Sequence, residues 1–190
     1  MAMNMNNNMR RNNNKVVKTI AIVNRNGKAV IYNGTTDKYQ IIEAESTSMA
    51  AVKALVTVLD NINKEDNTIT RIILPRALSF AAPSRHNQLI EIRNNNYESE
   101  NNKVQYTPDY IDSLIYTIEM KQWLTTNCCQ YAYSGSSNCT AEDTACVQNA
   151  WKILDTIEKP EVKQTIKRPL QRPVRPAKSN VVIAELTDIL

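Results

Sequence analysis

Residues 18–62 constrain this chain more than any other stretch. They carry two Asn-Gly pairs, Asn26-Gly27 and Asn33-Gly34, each set between apolar, β-branched runs. Asn-Gly readily adopts the positive φ angles of a two-residue type I′ turn, so each pair predicts a β-hairpin. Strands are therefore expected at residues 19–23, 28–32 and about 39–44. Ser46 or Thr47 then caps a helix in which Val52, Leu55, Val56, Leu59 and Ile62 recur at three- and four-residue spacing. An apolar run at 69–74 follows as a fourth strand. A strand–helix–strand crossover of this length places it parallel to the first.

This order resembles the ribonuclease H-like fold, and the helix supports the resemblance. Active members carry a segment like Ala-Glu-Leu-Lys-Ala-Leu, and this chain has Ala50-Ala51-Val52-Lys53-Ala54-Leu55. The resemblance covers about residues 18–90. It implies an α/β (or α+β) class: a mixed sheet with a three-stranded antiparallel meander and flanking helices, to which the sequence adds an extended arm at each end.

The resemblance also implies a two-metal nuclease site that the residues do not supply. Enzymes of the family hold two divalent cations with carboxylates from strand one, this helix and strand four, because hard cations need oxygen ligands. Strand one, from Thr19 to Asn24, has no Asp. The helix position for Glu is Ala51, and Arg76 stands where the strand-four Asp belongs. Glu43 and Glu45 lie nearby and read as a solvated strand edge. The expectation is no catalytic residue, no metal ligand and no cofactor.

Charge divides the 190 residues into three parts. The net charge of +4 hides a mildly acidic body between two basic arms. Residues 1–17 form a low-complexity arm with Arg10 and Arg11, and 18–158 form the folded domain. Residues 159–190 form the C-terminal arm, in which Lys167, Arg168, Arg172, Arg175 and Lys178 interleave with Pro169, Pro173 and Pro176. Proline at that density forbids regular helix and favours extended polyproline II. The tip, 181–190, is apolar enough to add a strand or short helix to a partner. No apolar run approaches the length that spans a bilayer, so no membrane partner is expected. The first residues lack the apolar core of a secretory signal.

The remaining elements are plainer. Residues 75–88 read as a loop or short helix around Pro83, and His86 is the only histidine. Residues 89–92 read as a fifth strand and 93–106 as an exposed loop. Thr107-Pro108-Asp109 starts a helix running to about residue 127. One of its stripes is Ile111, Leu114, Ile115 and Ile118; a second is Tyr116, Met120, Trp123 and Leu124. A helix with two apolar stripes is either buried on both sides or a subunit contact, and Tyr116 and Trp123 are its candidate contact residues. Cys128, Cys129, Cys139 and Cys146 have no zinc-knuckle spacing and read as free, partly buried thiols. A capping-box helix begins at Thr140 and ends before Pro160, with Trp151 in its apolar stripe.

The first functional expectation is a non-enzymatic structural subunit of a large assembly. In that reading it is a bacteriophage virion protein (ring, connector or minor capsid component) whose basic arms bind neighbouring subunits. The alternative is a nucleic-acid-binding accessory protein on an inactive ribonuclease H-like scaffold, in the cytoplasm, with the arms on phosphates. A third is a nuclease with rearranged ligands drawn from Asp37, Glu43, Glu45 and Asp109.

Overall fold

The computed structural model describes residues 16–63, 68–99, 104–124 and 128–158. Arg10, Arg11, Lys167, Arg168, Arg172, Arg175, Lys178 and the tip at 181–190 lie outside the described residues.

The meander forms as its turns dictate. Strand β1 (Val16–Arg25) pairs antiparallel with β2 (Lys28–Asn33), and β2 with β3 (Lys38–Glu43). Asn26 at φ +50° and Gly27 at φ +75° make the expected turn between the first two. A Cβ at Gly27 would also lie 2.8 Å from the Ala44 carbonyl oxygen, so this position admits only glycine.

The second Asn-Gly pair behaves differently. Pairing stops at Asn33 opposite Lys38, which leaves a four-residue loop rather than a two-residue turn. The Asn33 side-chain oxygen accepts from the amides of Thr35 and Thr36, and the left-handed residue is Asp37 at φ +55°. An Asx turn has replaced the type I′ turn. Gly34 is needed for space, because an added Cβ would sit 3.0 Å from Cys146 Sγ.

Ser46 caps helix α1 (Thr47–Asp60), its hydroxyl accepting from the Met49 amide. The helix crosses to β4 (Thr68–Leu74), which lies parallel to β1 as expected. Two short 3-10 turns follow, Arg76–Phe80 and Pro83–Arg85, then helix α2 (His86–Asn94) and helix α3 (Pro108–Leu124). The expected strand at 89–92 is therefore helical. Leu89 and Ile92 are the buried pair, at the three-residue spacing of one helix face, and four apolar-rich residues cannot by themselves separate the two periods.

The fifth strand is β5 (Cys129–Tyr133), parallel to β4, before helix α4 (Ala141–Glu158). Sheet order is β3-β2-β1-β4-β5, with β2 alone antiparallel to its neighbours on both sides. That mixed five-stranded sheet is the ribonuclease H-like fold.

Two apolar layers cover the sheet. One holds α1, α2 and α3 against Ile20, Ile22, Ile72 and Leu74. The other holds α4, with Val147, Ala150 and Leu154 against Ala21, Val23 and Ile73. The stripe Ile111, Leu114, Ile115 and Ile118 is buried. The second stripe of α3 splits: Leu124 is buried and Met120 packs partly on the core, whereas Tyr116 and Trp123 face outward. Among the described residues no helix is long and apolar enough to cross a membrane.

Candidate functional site

In open α/β sheets ligands bind beyond the carboxyl ends of the parallel strands. Here β1, β4 and β5 end around a cleft of about 410 Å³, walled by Asn24, Pro75, Arg76, Ser134 and Trp151. Each wall residue is placed by an element end. Asn24 closes β1, and its side-chain amide donates to the Thr47 carbonyl at 3.1 Å. Arg76 opens the turn after β4 and is exposed. Ser134 follows β5, its amide donating to the Leu74 carbonyl at 2.9 Å. Trp151 projects from α4.

Arg25 lies over Trp151, one of the wall residues. Its guanidinium lies 5.5 Å from the centre of the Trp151 ring and donates to Asp155 at 2.6 Å and Glu158 at 2.5 Å. These bonds raise the Arg25 pKa further, Asp155 contributing most. Both carboxylates are thus engaged by a guanidinium.

The donor set does not fit a pair of divalent cations. The three positions that the resemblance assigns to carboxylates hold an amide-ended strand, a methyl group and a guanidinium. Ala51 is fully buried in the apolar layer under α1, where an ionised carboxylate would be desolvated. Among the described residues no group of three or more His, Cys, Asp or Glu could hold a metal ion.

The rearranged-ligand candidates are not brought together either. Asp37 accepts from the Tyr32 hydroxyl at 2.7 Å. Glu43 pairs with Lys28 at 2.9 Å on the outer strand, and Asp109 with Lys53 at 3.3 Å on α3. Glu45 is exposed after β3. His86 pairs with Glu119 at 3.0 Å.

Other titratable groups are structural. Asp143 is almost wholly buried beneath Arg71. Burial pushes its carboxyl up, but bonds from Arg71 and from Thr140 overcome this and hold it below the usual range. Burial raises the Cys129 thiol to about 11 and raises Cys146 as well.

Sequence reasoning missed Ser134 and Trp151 as cleft residues. The nearest signal was the short run Cys129–Tyr133 before Ser134-Gly135, too brief to separate a strand from its helical neighbour.

The strand order and pairing define a ribonuclease H-like α/β protein. Solved structures to which the chain is similar include the foamy viral protease-reverse transcriptase in complex with an RNA/DNA hybrid. The identity there is 12% over 73% of this chain and 20% of that one, with a TM-score of 0.42. The chain thus spans about a fifth of that protein. Another is the PFV RNase H domain in solution, at 12% identity over 73% of this chain and 95% of that one, with a TM-score of 0.37. No protein-family model matches the chain, and no curated protein does.

Proposed function

We propose that this chain is a non-enzymatic subunit of a larger assembly, a ribonuclease H-like body held to neighbouring subunits by its basic arms. The observation that carries the reading is the cleft. Where phosphodiester hydrolysis by two metals needs carboxylates, the walls offer Asn24, Arg76, Ser134 and Trp151, and Asp155 and Glu158, further along α4 from Trp151, are held by Arg25. Among the described residues no acids are grouped to hold a metal, and attachment is the role we assign to the arms. In its finer form the assembly is a virion, a reading that the arm sequences support: short basic, proline-stiffened segments suit reaching across to adjacent subunits.

Two measurements test it together. Native mass or sedimentation of the full chain is expected to give a species several times 21.6 kDa, alone or with its partners. Incubation with RNA, DNA and an RNA/DNA hybrid in magnesium or manganese is expected to leave all three intact. Metal-dependent cleavage that disappears on one carboxylate substitution overturns the proposal.

One observation favours a second reading, a nucleic-acid-binding accessory protein: Arg76 presents an exposed guanidinium at the end of the parallel strands. It requires an affinity for DNA or RNA that falls steeply with salt and weakens with Arg76→Ala or removal of residues 159–178.

A further inference from the structure

Strand β3 ends the sheet, and among the described residues it has a neighbour on one side only. Its six residues contain no proline, and its pairing to β2 runs without a bulge, so nothing in its backbone blunts the edge. The Ala44 amide donates to the Gly27 carbonyl at 2.9 Å. Bonded residues alternate along an antiparallel ladder, so Ile42, Gln40 and Lys38 bond inward to β2. Tyr39, Ile41 and Glu43 therefore turn their amides and carbonyls to the open edge.

The same alternation places the side chains. Tyr39 and Ile41 lie opposite Tyr32 and Val30, so they share the face of the sheet that α4 covers. Helix α4 packs on β1 and β2, and beyond it Tyr39 is 57% exposed and Ile41 38%. An uncovered apolar pair thus stands on the residues whose backbone groups face outward. Gln40, between them, projects to the other face and is exposed.

We infer that β3 pairs antiparallel with β3 of a second copy, about a two-fold axis through Gln40, joining the two sheets into one. A second copy is the occupant because this strand complements itself. A two-fold axis normal to the sheet keeps the same face up in both copies, so odd-numbered residues meet odd-numbered ones. With Gln40 opposite Gln40, Tyr39 meets Ile41 and Ile41 meets Tyr39. These are the outward-bonding residues, so each pair exchanges backbone hydrogen bonds and also packs a ring on a β-branched side chain. At the ends of the ladder Asp37 meets Glu43, and each is already engaged within its own chain, by Tyr32 and Lys28. Moving the axis to Ile41 would set Tyr39 against Glu43 and lose both aromatic pairs. Pairing about the axis uses up both β3 edges, so it stops at two copies. The contact belongs to the folded body and is independent of the arms.

Sedimentation velocity of the full chain over a range of concentration tests this. One strand pair is a small interface, so wild type is expected to form a reversible dimer. Gln40→Lys and Gln40→Glu each set like charges face to face, and each is expected to weaken the dimer about fivefold or more. Mixed, the two chains are expected to pair with each other. Tyr39→Ala with Ile41→Ala is expected to weaken association at least about tenfold, with unchanged circular dichroism because both side chains are exposed. In a Cys139→Ser background, Gln40→Cys is expected to oxidise to a covalent dimer, since a non-bonded pair brings its Cα atoms to about 4.5 Å. A chain that is monomeric at every concentration overturns the inference. So does a dimer indifferent to residue 40, or one that cross-links through Ile41→Cys in preference to Gln40→Cys. A monomer whose β3 amides gain protection from hydrogen exchange only in cell extract overturns it in favour of a foreign strand. Each of these leaves the assembly reading standing, because that reading rests on the cleft and the arms.

Discussion

Arg71 and Asp143 clasp the sheet to helix α4. The Arg71 Nε donates to both carboxylate oxygens at 2.9 Å, and Nη2 adds a bond at 2.7 Å. Asp143 is also the return partner of a capping box: it accepts from the Thr140 amide at 2.8 Å while its own amide donates to the Thr140 hydroxyl at 3.1 Å. One carboxylate therefore starts the helix and ties its start to β4, far away in the chain.

Removing either partner strands a charge that folding has taken out of water. Asp143→Ala is expected to cost about 3–4 kcal/mol, a lost cap included. Arg71→Leu is expected to cost about 3–4 kcal/mol as well, since it leaves the buried Asp143 carboxylate without its guanidinium. The two changes together should cost less than their sum. Urea unfolding of all four proteins of the cycle measures this, and strict additivity would contradict the clasp.

The same pair sets an acid response. Asp143 has its folded pKa below the unfolded value of about 3.9. Its contribution is then complete above that value and is lost as pH falls through the folded pKa, because there the unfolded chain binds the proton more readily. The stability gap between wild type and Asp143→Asn should be flat from about pH 7 to pH 5 and shrink below about pH 4. A gap that is constant down to pH 3 contradicts the assignment.

Gly27 and Gly34 make separable predictions. Gly27→Ala puts a Cβ at φ +75° and 2.8 Å from a backbone oxygen that cannot yield, so a loss of about 2–3 kcal/mol is expected. Gly34→Ala meets only Cys146 Sγ, at 3.0 Å, and is expected to cost about 1–2 kcal/mol. Cys146→Ala should recover most of the second loss and none of the first, as thermal or urea midpoints will show.

How far the sequence carried depended on local signals. The Asn26-Gly27 turn, the Ser46 cap and the Thr140 capping box are each decided within a few residues, and each is where the sequence put it. The Asn33-Gly34 loop failed because Gly34 answers to Cys146, over a hundred residues away, and not to its own turn. β5 went unread for a similar reason. Five residues paired on one edge only to β4 carry little signal beside a strongly helical neighbour. The cleft could be described only by what its acids are replaced with; Ser134 and Trp151 meet there through β5 and α4, which no short pattern announces.

The cysteines should report burial directly. Cys128, Cys129 and Cys146 are buried and Cys139 is half-exposed. Burial holds the Cys129 and Cys146 thiols in the unreactive protonated form well above neutral pH. An aromatic disulfide reagent at pH 7.5 is expected to titrate about one thiol quickly in the native protein and all four after denaturation. Cys139→Ser should remove the fast phase. Rapid reaction of Cys129 in the native chain would contradict its placement between α3 and the sheet.

Lys121 gives a pH signature of the same sign as Asp143, but in alkaline rather than acid solution. It is buried, its ammonium donating to the Ala81 carbonyl at 3.0 Å and lying 5.0 Å from the centre of the Tyr131 ring. Burial pushes its pKa down, because leaving water disfavours the charged form. Between that lowered value and the unfolded value of about 10.4, the unfolded chain holds a proton that the folded chain has released. Unfolding then takes up a proton, and stability rises with pH across the window. Lys121→Met keeps most of the side chain's bulk and removes the titration. Measured by urea midpoints from about pH 7 to pH 10, wild type should gain stability relative to Lys121→Met as pH climbs. A difference that stays level, or that falls, would mean the amine reaches solvent and the packing of α3 against β5 is looser than described.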